Sequence, residues 1–257
     1  MKTFDELDFV DKGENKMPIK VVLYGKPGTG KTTLASTFPK PALLLDISEM
    51  GYVGVKRTKG LDIIRVKSVE EMEIIYWHLK ENRDGFKTVI IDTVSGLQDL
   101  VLEKQRIDKK SKVDKDRYGE WGTLTKKDWG EISSKLKSIL LDFRDLDMNV
   151  IFISHERVFN VEEDDLAEGI EPSVGPRIMP SVASTLNAAV DVIANTFIRE
   201  KVDKEKKTST MQYCLRVGPH SYYITKIRRP LGCQSEDILV DASYEDLIEL
   251  TEGAQNV

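Results

Sequence analysis

Short apolar runs alternate with amphipathic stretches through most of the chain. Ile19–Tyr24, Ala42–Asp46, Thr88–Asp92 and Asn149–Ser154 are nearly continuous apolar runs, the pattern of strands buried on both faces. Leu61–Val66 reads as a further strand. Ser68–Glu81 carries Met72, Ile75, Tyr76 and Leu79 at helical spacing, with Ser68 placed as N-cap and Glu71 at capping-box spacing. Leu97–Ile107 and Trp129–Leu146 also read as helices, and the second holds Ile132, Leu136, Ile139, Leu140 and Phe143 on one stripe. Buried strands alternating with helices predict an α/β fold, a mostly parallel sheet flanked by helices.

The last third changes character. Arg157–Pro180 reads as a long loop and Ser181–Ala189 as a helix. Val192–Arg199, Met211–Val217 and Tyr222–Arg228 read as a meander, with Lys201–Thr208 as a charged hairpin tip, giving a C-terminal antiparallel β extension. Ser243–Leu250 reads as a terminal helix. The expected organisation is a polar leader over 1–17, a core over 18–230, and a tail with a short helix over 231–257.

Chemistry enters at the first strand-to-helix junction. Gly25-Lys26-Pro27-Gly28-Thr29-Gly30-Lys31-Thr32 fits G-x-x-x-x-G-K-[ST] at every fixed position, and Thr33 continues into the predicted helix. Glycines allow the tight turn that points successive N–H groups at phosphates, and the helix start adds more donors. Lys31 is expected to reach the β- and γ-phosphates of a nucleotide, and Thr32 to offer its hydroxyl to Mg²⁺. The implied ligands are ATP and Mg²⁺. Asp92 ends an apolar strand, where ligands gather in open α/β sheets, and is the second expected Mg²⁺ residue. The plainer reading of Asp92 is a cap for the next helix.

Ser154-His155-Glu156 ends the next apolar strand, so His155 is a candidate sensor of the γ-phosphate; the alternative is a histidine satisfied by loop carbonyls. A base that polarises water must come from nearby. Asp46 and Glu49 follow the second strand, and Glu49 is the choice.

Composition limits the rest. The 257 residues carry a net charge of −5, so nothing global draws the chain to nucleic acid. No apolar run approaches the roughly 20 residues of a membrane span. Acids occupy the N-terminal positions where a signal peptide is apolar, so no export signal is expected. Cys214 and Cys233 lack zinc spacing and are expected to be reduced, as in a cytoplasm.

Together, Gly25–Thr33, Leu44–Glu49, Val89–Thr93, Trp129 with its helix, Asn149–Glu156 and Tyr223–Arg228 resemble the RecA-like branch of P-loop ATPases. More narrowly, they resemble small phage nucleotide-binding proteins of the AAA type, a family that includes RecA-core single-strand annealing proteins. The likeness spans about residues 19–230. It implies a RecA-like P-loop NTPase fold, ATP hydrolysis, a homo-oligomer forming a ring or filament, and location in the bacterial host's cytoplasm. By the same resemblance Lys226 and Arg228 match a Lys-x-Arg pair that reaches a neighbouring subunit's γ-phosphate. A basic edge strand is the alternative. Glu49 stands three residues beyond Asp46 where many relatives place the acid two beyond. The loop over 162–168 is acidic, so no DNA contact is assigned to it.

The candidate nucleic-acid segment is instead 104–127. Lys109, Lys110, Lys112, Lys115 and Arg117 can follow a phosphate backbone, and Trp121 can stack a base. Interleaved acids leave a solvated loop as the alternative. The expected function is an ATPase acting on single-stranded DNA in phage recombination, annealing or repair. Its partners are single-stranded DNA and a single-strand-binding or replication protein, with no membrane. The competing expectation is a nucleotide-dependent assembly switch, or loader, with no DNA contact of its own.

Overall fold

The computed structural model describes residues 17–82, 84–110, 124–159, 172–203, 208–230 and 236–252. The apolar runs form the middle of one sheet. Its parallel strands are β1 (Lys20–Gly25), β2 (Ala42–Ile47), β3 (Leu61–Val66), β4 (Thr88–Asp92), β5 (Asn149–Phe159) and β7 (Val192–Asp203). The order across the sheet is β10-β8-β7-β1-β5-β4-β2-β3, with β6 (Ser173–Pro176) paired to β5 and β9 (Lys226–Ile227) to β7. β8 (Thr208–Arg216) and β10 (Ile238–Val240) run antiparallel at one edge.

Both faces are covered, which is why β1, β2 and β4 read as continuous apolar runs. Leu43, Leu45, Val89, Ile91 and Phe152 face α2 (Val69–Glu81), α3 (Val94–Lys110), α4 (Lys126–Arg144) and α5 (Pro180–Ala189). Leu44, Ile90 and Ile151 face the other way, toward α1 (Lys31–Ala35) and α6 (Tyr244–Glu252). Each such fully buried Leu, Ile or Phe contributes about 1.5–3 kcal/mol of transfer free energy.

The predicted α/β class with a mostly parallel sheet and antiparallel C-terminal strands is the observed fold. Several boundaries differ, each for a local reason. Residues 155–159 and 173–176 pair as β5 and β6, so part of the expected loop is sheet and His155 lies within a strand. β7 is parallel to β1, because α5 returns the chain across the sheet. The expected strand Tyr222–Arg228 is reduced to Lys226–Ile227, facing Val192 and Ile193. Helix α4 starts at Lys126, not Trp129, through a capping box. Thr125 accepts from the Asp128 N–H at 3.4 Å, and the Asp128 carboxylate accepts the Thr125 N–H at 2.5 Å. Residues 238–240 and 244–252 join the sheet and its packing: β10 pairs with β8, and Leu247 and Leu250 are buried. The segment expected as a tail thus supplies a strand, β10, and a helix, α6. No helix among the described residues is long and apolar enough to cross a membrane.

Candidate nucleotide site

Parallel register brings the candidate residues to one edge. Gly25 stands level with His155 and Thr196, and Asp46 with Asp92; Gly25 and Asp92 end their strands, whereas β5 and β7 run on past His155 and Thr196. At Gly25 a Cβ would meet the Thr196 carbonyl oxygen at 2.3 Å, so only glycine fits where the loop leaves the sheet. Thr29 Oγ1 bonds Thr196 Oγ1 at 2.6 Å and the Lys26 carbonyl at 2.8 Å, which ties the loop down on β7.

Lys31 is buried, and its ammonium donates to the carbonyls of Gly25 at 3.0 Å and Lys26 at 2.8 Å. Burial lowers its pKa, and the carboxylates of Asp92 and Glu49 act against that. These carbonyl bonds hold the cation inside the loop, among the N–H groups that would bind a phosphate.

The Thr32 hydroxyl donates to Asp92 Oδ2 at 2.7 Å. Asp92 is 3% exposed, and burial pushes its carboxyl up to about 6; the charges of Glu49 and Asp46 add to this, while the Thr32 hydroxyl and Lys31 oppose it. Gly51 lies against this pair, and a Cβ there would stand 2.7 Å from Asp92 Oδ2. The open space beside Asp92 thus exists because residue 51 has no side chain. Two oxygen donors and that space fit Mg²⁺, which selects hard oxygen ligands and retains waters.

The two candidate acids separate here. Asp46 is buried and accepts the Gly51 N–H at 2.9 Å, with Arg65 Nε at 4.0 Å, so it shapes the turn after β2. Burial raises its pKa, against the Gly51 N–H and Arg65. Glu49 projects into the site instead. Its Oε1 accepts from Thr93 Oγ1 at 2.9 Å, and its two oxygens lie 2.8 and 2.7 Å from His155 Nε2. Thr93 Oγ1 also accepts from the Gly96 N–H at 3.0 Å, so the start of α3 fixes the residue that fixes Glu49. Thr93, Gly51 and Thr196 escaped the sequence reading. Thr93 had one signal, its place directly after Asp92.

The Lys-x-Arg pair lies elsewhere. Lys226 and Arg228 flank Ile227, which pairs with Val192 at the start of β7, the sheet end opposite the loop. Lys226 Nζ donates to the carbonyls of Asn187, Ala188 and Val190 at 2.8, 3.0 and 2.7 Å. Arg228 reaches the Ala188 carbonyl at 2.7 Å and Asp191 at 3.1 Å. Together they cap the C-terminus of α5, where cations oppose the helix dipole. Within the protomer this is the arrangement of a basic edge strand.

The basic segment is only partly described. Lys109 ion-pairs with Asp128, the α4 capping acid, and Lys104 pairs with Glu70 at 2.8 Å and Asp108 at 3.4 Å. Lys110 ends α3. Lys112, Lys115, Arg117 and Trp121, and the acidic loop over 162–168, lie outside the described residues.

Sheet order, loop and the Thr32–Asp92 pair define a RecA-like P-loop NTPase fold. Residues 17–229 match the AAA domain family, and the chain belongs to that family of nucleotide-binding ATPase domains. In structure it is similar to a KaiC-like protein from the hyperthermophilic archaeon Pyrococcus horikoshii OT3, at TM-score 0.41 and 14% identity over 78% of each chain. Comparison with curated proteins yields no match.

Proposed function

We propose that this protein is a Mg²⁺-dependent ATPase acting on single-stranded DNA in phage recombination, annealing or repair, as a homo-oligomer in the host cytoplasm. The observation that carries hydrolysis is the meeting of the start of α1, the end of β4 and the turn after β2. Thr32 bonds Asp92 at 2.7 Å, and Glu49 stands beside them on Thr93 and His155. Thr32 and Asp92 would hold Mg²⁺, which neutralises charge on the phosphate oxygens when bound. The loop N–H groups and Lys31 orient the triphosphate. Glu49 accepts a proton from the attacking water as base, and His155 holds the carboxylate in place until that water arrives. The DNA role and the oligomer rest on the family resemblance.

A second reading has its own support. A nucleotide-dependent assembly switch, or loader for a replication partner, needs no DNA contact. Pairing of Lys104 and Lys109 with acids, together with the net charge of −5, favours it. ATP turnover measured with and without single-stranded DNA, alongside mass by light scattering, separates the two. DNA-stimulated turnover by an oligomer supports the first. Turnover and mass indifferent to DNA refute it in favour of the second.

A further inference from the structure

The cavity beside the phosphate loop extends well past the residues that hold phosphates. Its volume is about 680 Å³, and its lining includes Tyr213, Asp241, Ala242 and Ser243. We propose that Tyr213 and the turn Asp241–Ser243 hold the base and ribose of the nucleotide, so that a segment outside the family-matched residues completes the binding site. The proposal rests on Gly25–Thr32 being the triphosphate site.

The family match ends at residue 229, so Tyr213 lies within it and the turn Asp241–Ser243 beyond it. Tyr213 is 48% exposed on β8, and its Cδ1 stands 3.3 Å from where a Cβ on Gly30 would lie. A half-exposed aromatic ring against a phosphate loop offers a stacking face to a base, and any base has a π-face to match. The lining also carries opposite charges on different segments. Among the described residues Lys31, in the loop, is the one cation lining the cavity, while Asp241 lies in the C-terminal turn. An acid there repels phosphate and accepts from the amino or hydroxyl donors of a nucleoside. Among the described residues, no hydrogen bond or ion pair engages the Asp241 carboxylate.

The wall is held at both ends. The Asp241 N–H donates to the Tyr213 carbonyl at 2.8 Å, which locks the turn to the proposed stacking residue. The Ser243 hydroxyl donates to the Asp246 carboxylate at 2.8 Å, capping α6. The Tyr244 N–H donates to Thr37 Oγ1 at 2.9 Å, joining the turn to the other side of the cavity. Phe38 and Tyr244 then meet ring to ring at 4.9 Å. A base would thus enter a preformed slot.

Calorimetric titration of Mg·ATP and Mg·tripolyphosphate tests this with wild type, Tyr213→Ala, Tyr213→Phe and Ala242→Leu. Tyr213→Ala should weaken ATP roughly 10- to 100-fold and leave tripolyphosphate within about twofold. Tyr213→Phe should retain ATP affinity, since the ring remains. Ala242→Leu, which narrows the C-terminal wall, should weaken ATP alone. Thermal unfolding of each variant monitors the fold, and Tyr213 is exposed enough to truncate safely. Unchanged ATP affinity in Tyr213→Ala, or equal losses for both ligands, overturns the proposal. Tripolyphosphate binding unaffected by Lys31→Ala overturns the triphosphate reading beneath it, as does wild type binding neither ligand.

Discussion

Asp92 is expected to trade stability for metal binding, and the trade can be measured without metal. Burial pushes its carboxyl from the ordinary 3.8 up to about 6. A folded-state pKa above the unfolded one means that the folded chain holds the proton more tightly. The stability this provides is complete below about pH 4 and is lost as pH rises through about 6. Two pKa units at about 1.4 kcal/mol each make the charged carboxylate cost the metal-free chain about 3 kcal/mol above that range. Asp92→Asn removes the charge and keeps an oxygen for the Thr32 hydroxyl. It also removes a counter-charge from Lys31, which returns part of the gain. Urea unfolding in EDTA at pH 8 should therefore find Asp92→Asn about 1–3 kcal/mol more stable than wild type. At about pH 4 the gain should vanish, because wild type is then protonated. The variant should bind Mg·ATP poorly at any pH. Equal or lower stability at pH 8, or a gain that persists in acid, refutes the reasoning.

Three further outcomes follow from the geometry. Glu49→Gln should retain ATP binding and lose at least about 100-fold in turnover, measured by single-turnover phosphate release, because the amide no longer accepts the proton. Lys226→Ala should lower the unfolding free energy measured in urea by about 1–2 kcal/mol through loss of the α5 cap; full stability with loss of turnover only in the oligomer would restore the trans-acting role. Leu247→Ala should cost about 2–5 kcal/mol, since Leu247 is fully buried beneath the sheet; a negligible change would mark residues beyond 230 as an appendage.

Particular residues show how far the sequence could be read. Strands β1, β2 and β4 were legible because both faces are covered and their middle residues are apolar. Residues 155–159 were not, because there the strand leaves the main sheet, becomes polar, and finds its partner only at 173–176. The phosphate loop and Asp92 were legible from pattern and position. Glu49 was legible as one of two acids, and only the turn after β2 separated its role from that of Asp46. Lys226 and Arg228 illustrate the limit: charge and spacing announce two cations, but the carbonyls they bind lie some 40 residues away. Lys109 shows a related limit. Its partner Asp128 belongs to a capping box that the apolar stripe, starting at Trp129, did not announce. The cavity wall at 241–243 was illegible because it gathers at the site only once β10 pairs with β8.

The central claim is that Gly25–Thr32 binds ATP and that this edge of the sheet hydrolyses it. Steady-state phosphate release by wild type and Lys31→Ala, in Mg²⁺ and in EDTA, tests it most directly. The account predicts turnover by wild type in Mg²⁺, none in EDTA, and none by Lys31→Ala with an unchanged unfolding midpoint. Turnover by Lys31→Ala at the wild-type rate would contradict it.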